Sequence, residues 1–182
     1  MKDLTSDQQK KLLEIARKTL RCYLKDKRIL KFEVEDESLN QKCGVFVTLK
    51  SRGQLRGCIG EFESSSPLYK LVQQKVIDSA MHDPRFPAVK FNELNSIEIE
   101  ISVLSPFKRI NDWQDIKLGK HGVFIKHGTR TGTFLPQVGQ EAGWSLEEFL
   151  SNLCSIKAGL PPDSFKDPRT EIFVYTTQAF TE

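Results

Sequence analysis

The chain has no C-x-x-C pair. Its four cysteines, Cys22, Cys43, Cys58 and Cys154, are scattered, which argues against a zinc site and offers no disulfide framework. It has no apolar run long enough to span a bilayer, and its start, "MKDLTSDQQKK", lacks the apolar core of a signal peptide, so a cytoplasmic protein with no membrane association is expected. No low-complexity tract, Gly/Ser linker or internal repeat interrupts the 182 residues, and a single domain over 1–182 is expected. Charge of one sign is also missing: 27 Lys+Arg stand against 24 Asp+Glu, far short of what an electrostatic nucleic-acid binder carries. There is no P-loop, dinucleotide fingerprint, H-E-x-x-H or G-x-S-x-G, so the common cofactor classes drop out and the cofactor, if there is one, stays unknown.

What is present is a well-punctuated mixture of helices and strands. "TSDQQKKLLEIARKTLRCYLKD" has Ser6 and Gln9 in capping-box spacing and then Leu12, Leu13, Ala16, Leu20, Tyr23 and Leu24 on one helical face. "CGVFVTLKSRGQLRGCIGEF" alternates Val45, Val47 and Leu49, turns around Gly53 and runs back through Leu55 and Ile59, a β-hairpin. Pro67 opens a helical stripe through Leu68, Leu71, Val72, Ala80 and Met81 that stops near Asp83. "SIEIEISVLSP" places Ile97, Ile99, Ile101 and Val103 on a core face and Glu98, Glu100 and Ser102 on a wet one. Strands at about 122–126, 131–135 and 170–176 follow, with a short helical piece after Pro136 and a helix capped by Ser145 and Glu148 that ends at Gly159. Hairpins with interspersed helices, rather than strict βαβ alternation, argue for an α+β fold around a largely antiparallel sheet.

The stretch "LRGCIGEF" carries the chemistry. In an unbroken strand Arg56, Cys58 and Gly60 share one face, while Leu55, Gly57 and Ile59 share the other. Glycines inside a strand suggest a bulge, a bend, or a place where another backbone or a ligand comes close, which makes "RGCIG" a candidate site floor. A free cysteine is often simply a small buried hydrophobe, but a guanidinium on its face is the kind of neighbour that makes a thiol reactive. Cys22, Cys43 and Cys154 have the bland explanation, core or neutral surface. His82 ends a helix and suits its C-terminal dipole, and His127 sits beside Gly128 at a turn. His121, in "GKHGVFI", lies on a loop where functional residues concentrate. Lys120, His121, Lys126, His127 and Arg130 put cations around one hairpin, fit either to hold an anion or to serve as a solvated edge.

Taken in order, "LRGCIGEF", "DPRFPAV", "IEISVLSP", "GKHGVFI", "GTFLPQV", "EAGWSLEEFLSNLC" and "KAGLPPDSF" resemble the AMMECR-type domain family from about residue 10 to the C-terminus. The resemblance implies an α+β architecture with a main antiparallel sheet, a smaller lobe, and a cleft lined by the "LRGCIG" segment. By motif it carries over Arg56, Gly57, Cys58 and Gly60, with Arg85 from "DPRFP" and His121 from the "HG" step. It also implies partners, a Memo-like protein and a radical S-adenosylmethionine protein. Two functions stay open. One is a cysteine-dependent enzyme acting on an anionic small molecule or modified group, with Cys58 as nucleophile, His121 as acid or base, and Arg56, Arg85, Gly57 and Gly60 holding substrate. The other is a non-catalytic module that binds a nucleotide, RNA or a partner protein at the same place, with the modest net charge counting against RNA.

Overall fold

The structure, a computed structural model, describes residues 3–182. In chain order its elements are helix α1 (Ser6–Asp26), the single turn α2 (Glu37–Asn40), strands β1 (Val45–Ser51) and β2 (Gln54–Glu61), helix α3 (Leu68–Met81), strands β3 (Ile97–Leu104), β4 (Lys108–Ile110), β5 (Gly122–His127) and β6 (Arg130–Phe134), helices α4 (Gln137–Glu141) and α5 (Leu146–Asn152), and strands β7 (Glu171–Tyr175) and β8 (Thr177–Thr181). The strands make two four-stranded sheets, β2-β1-β3-β8 and β4-β7-β5-β6. Neighbours β1–β2, β1–β3, β4–β7, β5–β6 and β5–β7 all run antiparallel. The fold is α+β with antiparallel sheets, as the hairpin pattern implies.

The chain divides into two compact units. Met1–Leu104 with Gln178–Glu182 form the first, and Ser105–Thr177 the shorter second. No linker composition marks Leu104/Ser105, because β3 runs directly into the next segment and the chain returns only for its last strand.

In the first unit α1 and α3 pack on one face of the β2-β1-β3-β8 sheet, with Leu12, Ile15, Leu20, Val45, Val47, Val72, Val76, Ile99 and Ile101 in a common core. The cap of α1 lies one residue earlier than the spacing suggests. Thr5 accepts from the Gln8 N–H, and the Gln8 side chain accepts from the Thr5 N–H. Helix α3 ends at Met81, short of Asp83, and His82 takes its C-terminal cap, with its N–H donated to the Asp78 carbonyl. The outer face of β3 is drier than its Glu/Ser composition suggests, since Ser102 is buried and Glu100 pairs with Lys50 at 2.8 Å. The β1–β2 turn places Arg52 and Gly53 both at positive φ (52° and 77°), the geometry of a tight hairpin turn.

The second unit packs α5 against the β4-β7-β5-β6 sheet through Phe149, Leu150, Leu153, Val123, Ile125 and Ile172. The Ser145/Glu148 capping box forms as its spacing predicts. Beyond Asn152 the helix widens into a π turn, Leu153–Lys157, which carries the buried Cys154, and the chain leaves through Gly159 at φ 61°. Among the described residues no helix is long and apolar enough to cross a membrane.

Candidate functional site

The face assignment of "LRGCIG" changes at a bulge. Leu49 lies opposite Gly57 but Lys50 lies opposite Leu55, so Arg56 is an extra residue without a partner on β1. The alternation is therefore reset at Arg56. Leu55, expected on the core side, is 43% exposed and lines an open groove of about 550 Å³ with Ser51, Arg52, Gln54, Arg56, Glu93 and Ser96. Beyond the bulge the alternation resumes: Gly57 is buried toward α3, while Cys58, half-buried, pairs across the strand with Thr48.

The two glycines solve packing problems inside the protein. A Cβ on Gly57 would lie 2.0 Å from the Ser79 carbonyl oxygen, so its absence is what lets α3 press onto β2. The same contact delivers the Ser79 hydroxyl into the sheet, where it accepts from the Ile59 N–H at 2.9 Å and donates to the Val47 carbonyl at 2.7 Å. At Gly60 a Cβ would meet the Phe46 ring and the Val45 carbonyl at 2.4 Å, and that ring packs edge-on to Phe62. At Gly57 it is another backbone that comes close, one of the expected reasons for a strand glycine, and protein atoms rather than open floor fill both spaces.

Strand β2 is the sheet edge, so the N–H and C=O of Cys58 point away from β1 with no strand to receive them. The "DPR" turn covers that edge. The Cys58 N–H donates to Asp83 Oδ2 at 2.8 Å, the Cys58 carbonyl accepts from Arg85 Nη2 at 3.2 Å, and Arg85 closes the ring with a two-pronged bond to Asp83 at 2.7 and 2.9 Å. Asp83 is 4% exposed. The Arg85 hydrogen bonds hold its carboxyl far below the usual carboxylate range, with the Cys58 and Arg85 N–H groups adding to the effect against the cost of burial. Arg85 itself stays half in solvent.

The cation at Cys58 is thus Arg85, from another segment. Arg56, expected to share its face, is occupied elsewhere: Nε and Nη2 grip the Glu93 carboxylate at 3.0 and 3.1 Å, and Nη1 donates to the Pro87 carbonyl. That pairing lowers the Glu93 carboxyl against burial and ties β2 to the segment before β3. Among the described residues the Cys58 sulfur takes one hydrogen bond, from the Thr48 hydroxyl at 3.2 Å. Arg85 stands out in the sequence, whereas Asp83, Ser79 and Thr48 do not. Asp83 stands two residues before Arg85 in "DPR", and that spacing was the available signal.

His121 belongs to the second unit. Its Nδ1 accepts the Lys117 N–H at 3.2 Å, which places the proton of the neutral ring on Nε2. Partial burial and then Lys120, Lys117 and Lys108 push its pKa below the ordinary histidine value, so the ring is a neutral donor at neutral pH. A base role through Nε2 does not fit this tautomer. His127 is bonded to Thr170 at 2.9 Å, Arg130 donates to the Gly159 carbonyl and Lys126 reaches Glu171, so these three of the cations expected around the hairpin have separate structural partners. Cys43 and Cys154 are buried, and burial raises both thiols, Cys43 to about 11. Among the described residues no group of three His, Cys, Asp or Glu side chains converges as a metal site requires.

A two-unit α+β protein with a clamped cysteine on a sheet edge defines the class, and comparison with known proteins gives the family. The chain belongs to the AMMECR1 family, whose model matches residues 13–180. It is 40% identical over 186 residues to a protein of Methanothermobacter thermautotrophicus, covering 98% of this chain and 96% of that one. It is 41% identical over 181 residues to a protein of Nanoarchaeum equitans, covering 94% and 98%. Among solved structures it is similar to an uncharacterized protein of Pyrococcus horikoshii, with 38% identity and a TM-score of 0.84 over 94% of this chain and 89% of that one.

Proposed function

We propose that the protein is thiol-dependent: Cys58 is the reacting group, and Arg85 meets a negatively charged group on a small-molecule substrate. The observation that carries this reading is the clamp on Cys58, whose backbone donor and acceptor are both fixed by the Asp83–Arg85 pair while its half-buried sulfur accepts from the Thr48 hydroxyl. A nucleophile held by its own main chain loses little freedom when it reacts. The sulfur forms the new bond to an electrophilic carbon of the substrate, the leaving group departs with the bonding pair, and the thiol proton passes to solvent. In the second unit, the Nε2–H of His121 among Lys108, Lys117 and Lys120 is a further donor suited to anions.

The RNA-binding alternative is weaker, because the net charge is only +3 and Arg56 spends its guanidinium on Glu93 and the Pro87 carbonyl. Four unpaired cysteines support a reducing, cytoplasmic setting. The Memo-like and radical S-adenosylmethionine partners implied by the family resemblance belong to this reading, and co-purification of tagged chains tests them. The thiol itself is tested by brief iodoacetamide treatment of the native protein followed by peptide mapping. Cys58 should be modified ahead of Cys22, with Cys43 and Cys154 protected. Modification of Cys22 first, with Cys58 unreacted, contradicts the proposal.

A further inference from the structure

Between α1 and α2 lies a segment with the burial period of a strand and no strand partner. From Lys31 to Glu35 burial alternates residue by residue: Phe32 and Val34 pack on the core of the first unit, while Lys31, Glu33 and Glu35 are exposed. That is the period of a strand, yet the segment belongs to neither sheet. Its two edges differ. The Leu30 and Val34 carbonyls accept from Gln73 Nε2 at 2.9 Å and Asn40 Nδ2 at 2.7 Å. Among the described residues no main-chain hydrogen bond reaches Ile29, Lys31, Glu33 or Glu35. Successive residues of an extended chain present their backbone groups to opposite sides, so side chains occupy two carbonyls of the even-numbered edge, while the odd-numbered edge takes none among the described residues. Ile29, 56% exposed, and Leu30, 37% exposed, stand at its start. An open edge flanked by exposed apolar side chains is a template for another strand.

We propose that this edge pairs with the same edge of a second copy of the chain, antiparallel, about a two-fold axis at Phe32. Parity and charge together choose the register. Because the free groups belong to odd-numbered residues, odd must face odd for two residues to exchange hydrogen bonds. The register that sets Glu33 against Glu33 keeps two Lys31–Glu35 pairs but adds one repulsive pair, and the register that sets Lys31 against Lys31 has no opposite-charge pair within 29–35. The register centred on Phe32 sets Lys31 against Glu33 twice, Leu30 against Val34 twice, and Phe32 against Phe32, so every cross-strand pair within 30–34 is complementary. The same patch meets itself, as a closed two-fold dimer requires.

The test is a charge swap read by sedimentation velocity on the full chain across a concentration series. The unmodified protein should dimerise reversibly. Lys31→Glu and Glu33→Lys should each weaken the dimer about tenfold or more, since each turns two attractive pairs into repulsive ones. The double swap, which restores opposite charges in reversed order, should return the original affinity. All three variants alter exposed side chains and should keep the parent melting temperature. Amide exchange at Lys31 and Glu33 should slow as concentration rises. A monomer at every concentration overturns the proposal, as does a dimer that the single substitutions leave unchanged or the double swap fails to restore.

Discussion

Cys58 and Asp83, 25 residues apart in the chain, meet through one hydrogen bond: the Cys58 N–H donates to Asp83 Oδ2 at 2.8 Å. A carboxylate that is 4% exposed, bonded to a main-chain donor and to Arg85, is a costly group to bury, and it acts here as a substitute strand for the sheet edge. Replacing Asp83 by Asn keeps the shape but turns an amide donor toward the guanidinium. Urea unfolding at neutral pH should show Asp83→Asn about 2–3 kcal/mol less stable, the range for losing charge-assisted bonds in a buried place.

The same carboxylate sets a direction in acid. Its folded pKa is depressed, so its stabilisation is full above its unfolded value, about 4, and is lost as pH falls toward the folded one. Melting temperature should therefore fall below about pH 4, and the fall should be shallower in Asp83→Asn.

The two glycines of "RGCIG" should be intolerant for separate reasons. Gly57→Ala drives a methyl into the Ser79 carbonyl and should cost about 3 kcal/mol or more, because backbone of α3 must move. Gly60→Ala meets both the Phe46 ring and the Val45 carbonyl. Adding Phe46→Leu should recover part of that loss, whereas the same change should do nothing for Gly57→Ala. Thermal unfolding of the four variants distinguishes the two contacts.

Alkali should destabilise the fold through groups that stay protonated inside it. Burial pushes the Tyr175 phenol up to about 12 and the Cys43 thiol up to about 11, against roughly 10 and 8.5 in an unfolded chain. Between those values the unfolded chain binds fewer protons than the folded one, so stability must fall as pH rises. Melting temperature should drop progressively above about pH 9, and Tyr175→Phe should flatten the upper part of the drop. That variant should also lose about 1 kcal/mol at neutral pH with the hydrogen bond to the Phe134 carbonyl.

Most of the fold can be read from periodicity, and the failures have local causes. The isoleucine alternation of β3, the stripe of α1 and the Ser145 box are signals of the structure they form, because burial on one face enforces them. The bulge at Arg56 leaves no periodic signal, only the adjacent Gly57: one unpaired residue inverts every face assignment before it, which is why Leu55 is exposed and Arg56 turns to Glu93. Alternation can also mislead in the other direction. "KFEVE" has the strand period but no partner within the chain, since alternation reports one buried face and not a paired edge. At the site, Cys58 and Arg85 are legible because charge and sulfur stand out. Ser79 and Asp83 are not, because a helix residue and a turn residue act on β2 only through tertiary contact.

The central claim is that Cys58 reacts and that Arg85 draws an anion to it, and paired alkylating agents test both at once. Iodoacetate carries a charge where iodoacetamide carries none, so the ratio of their rates at Cys58 reports the field at the sulfur independently of its exposure. The account predicts a ratio higher at Cys58 than at Cys22, kept by Arg85→Lys and lowered by Arg85→Gln about threefold or more, as expected for removing one nearby charge at a half-exposed place. Equal ratios at the two cysteines, or a ratio at Cys58 indifferent to Arg85→Gln, would contradict it.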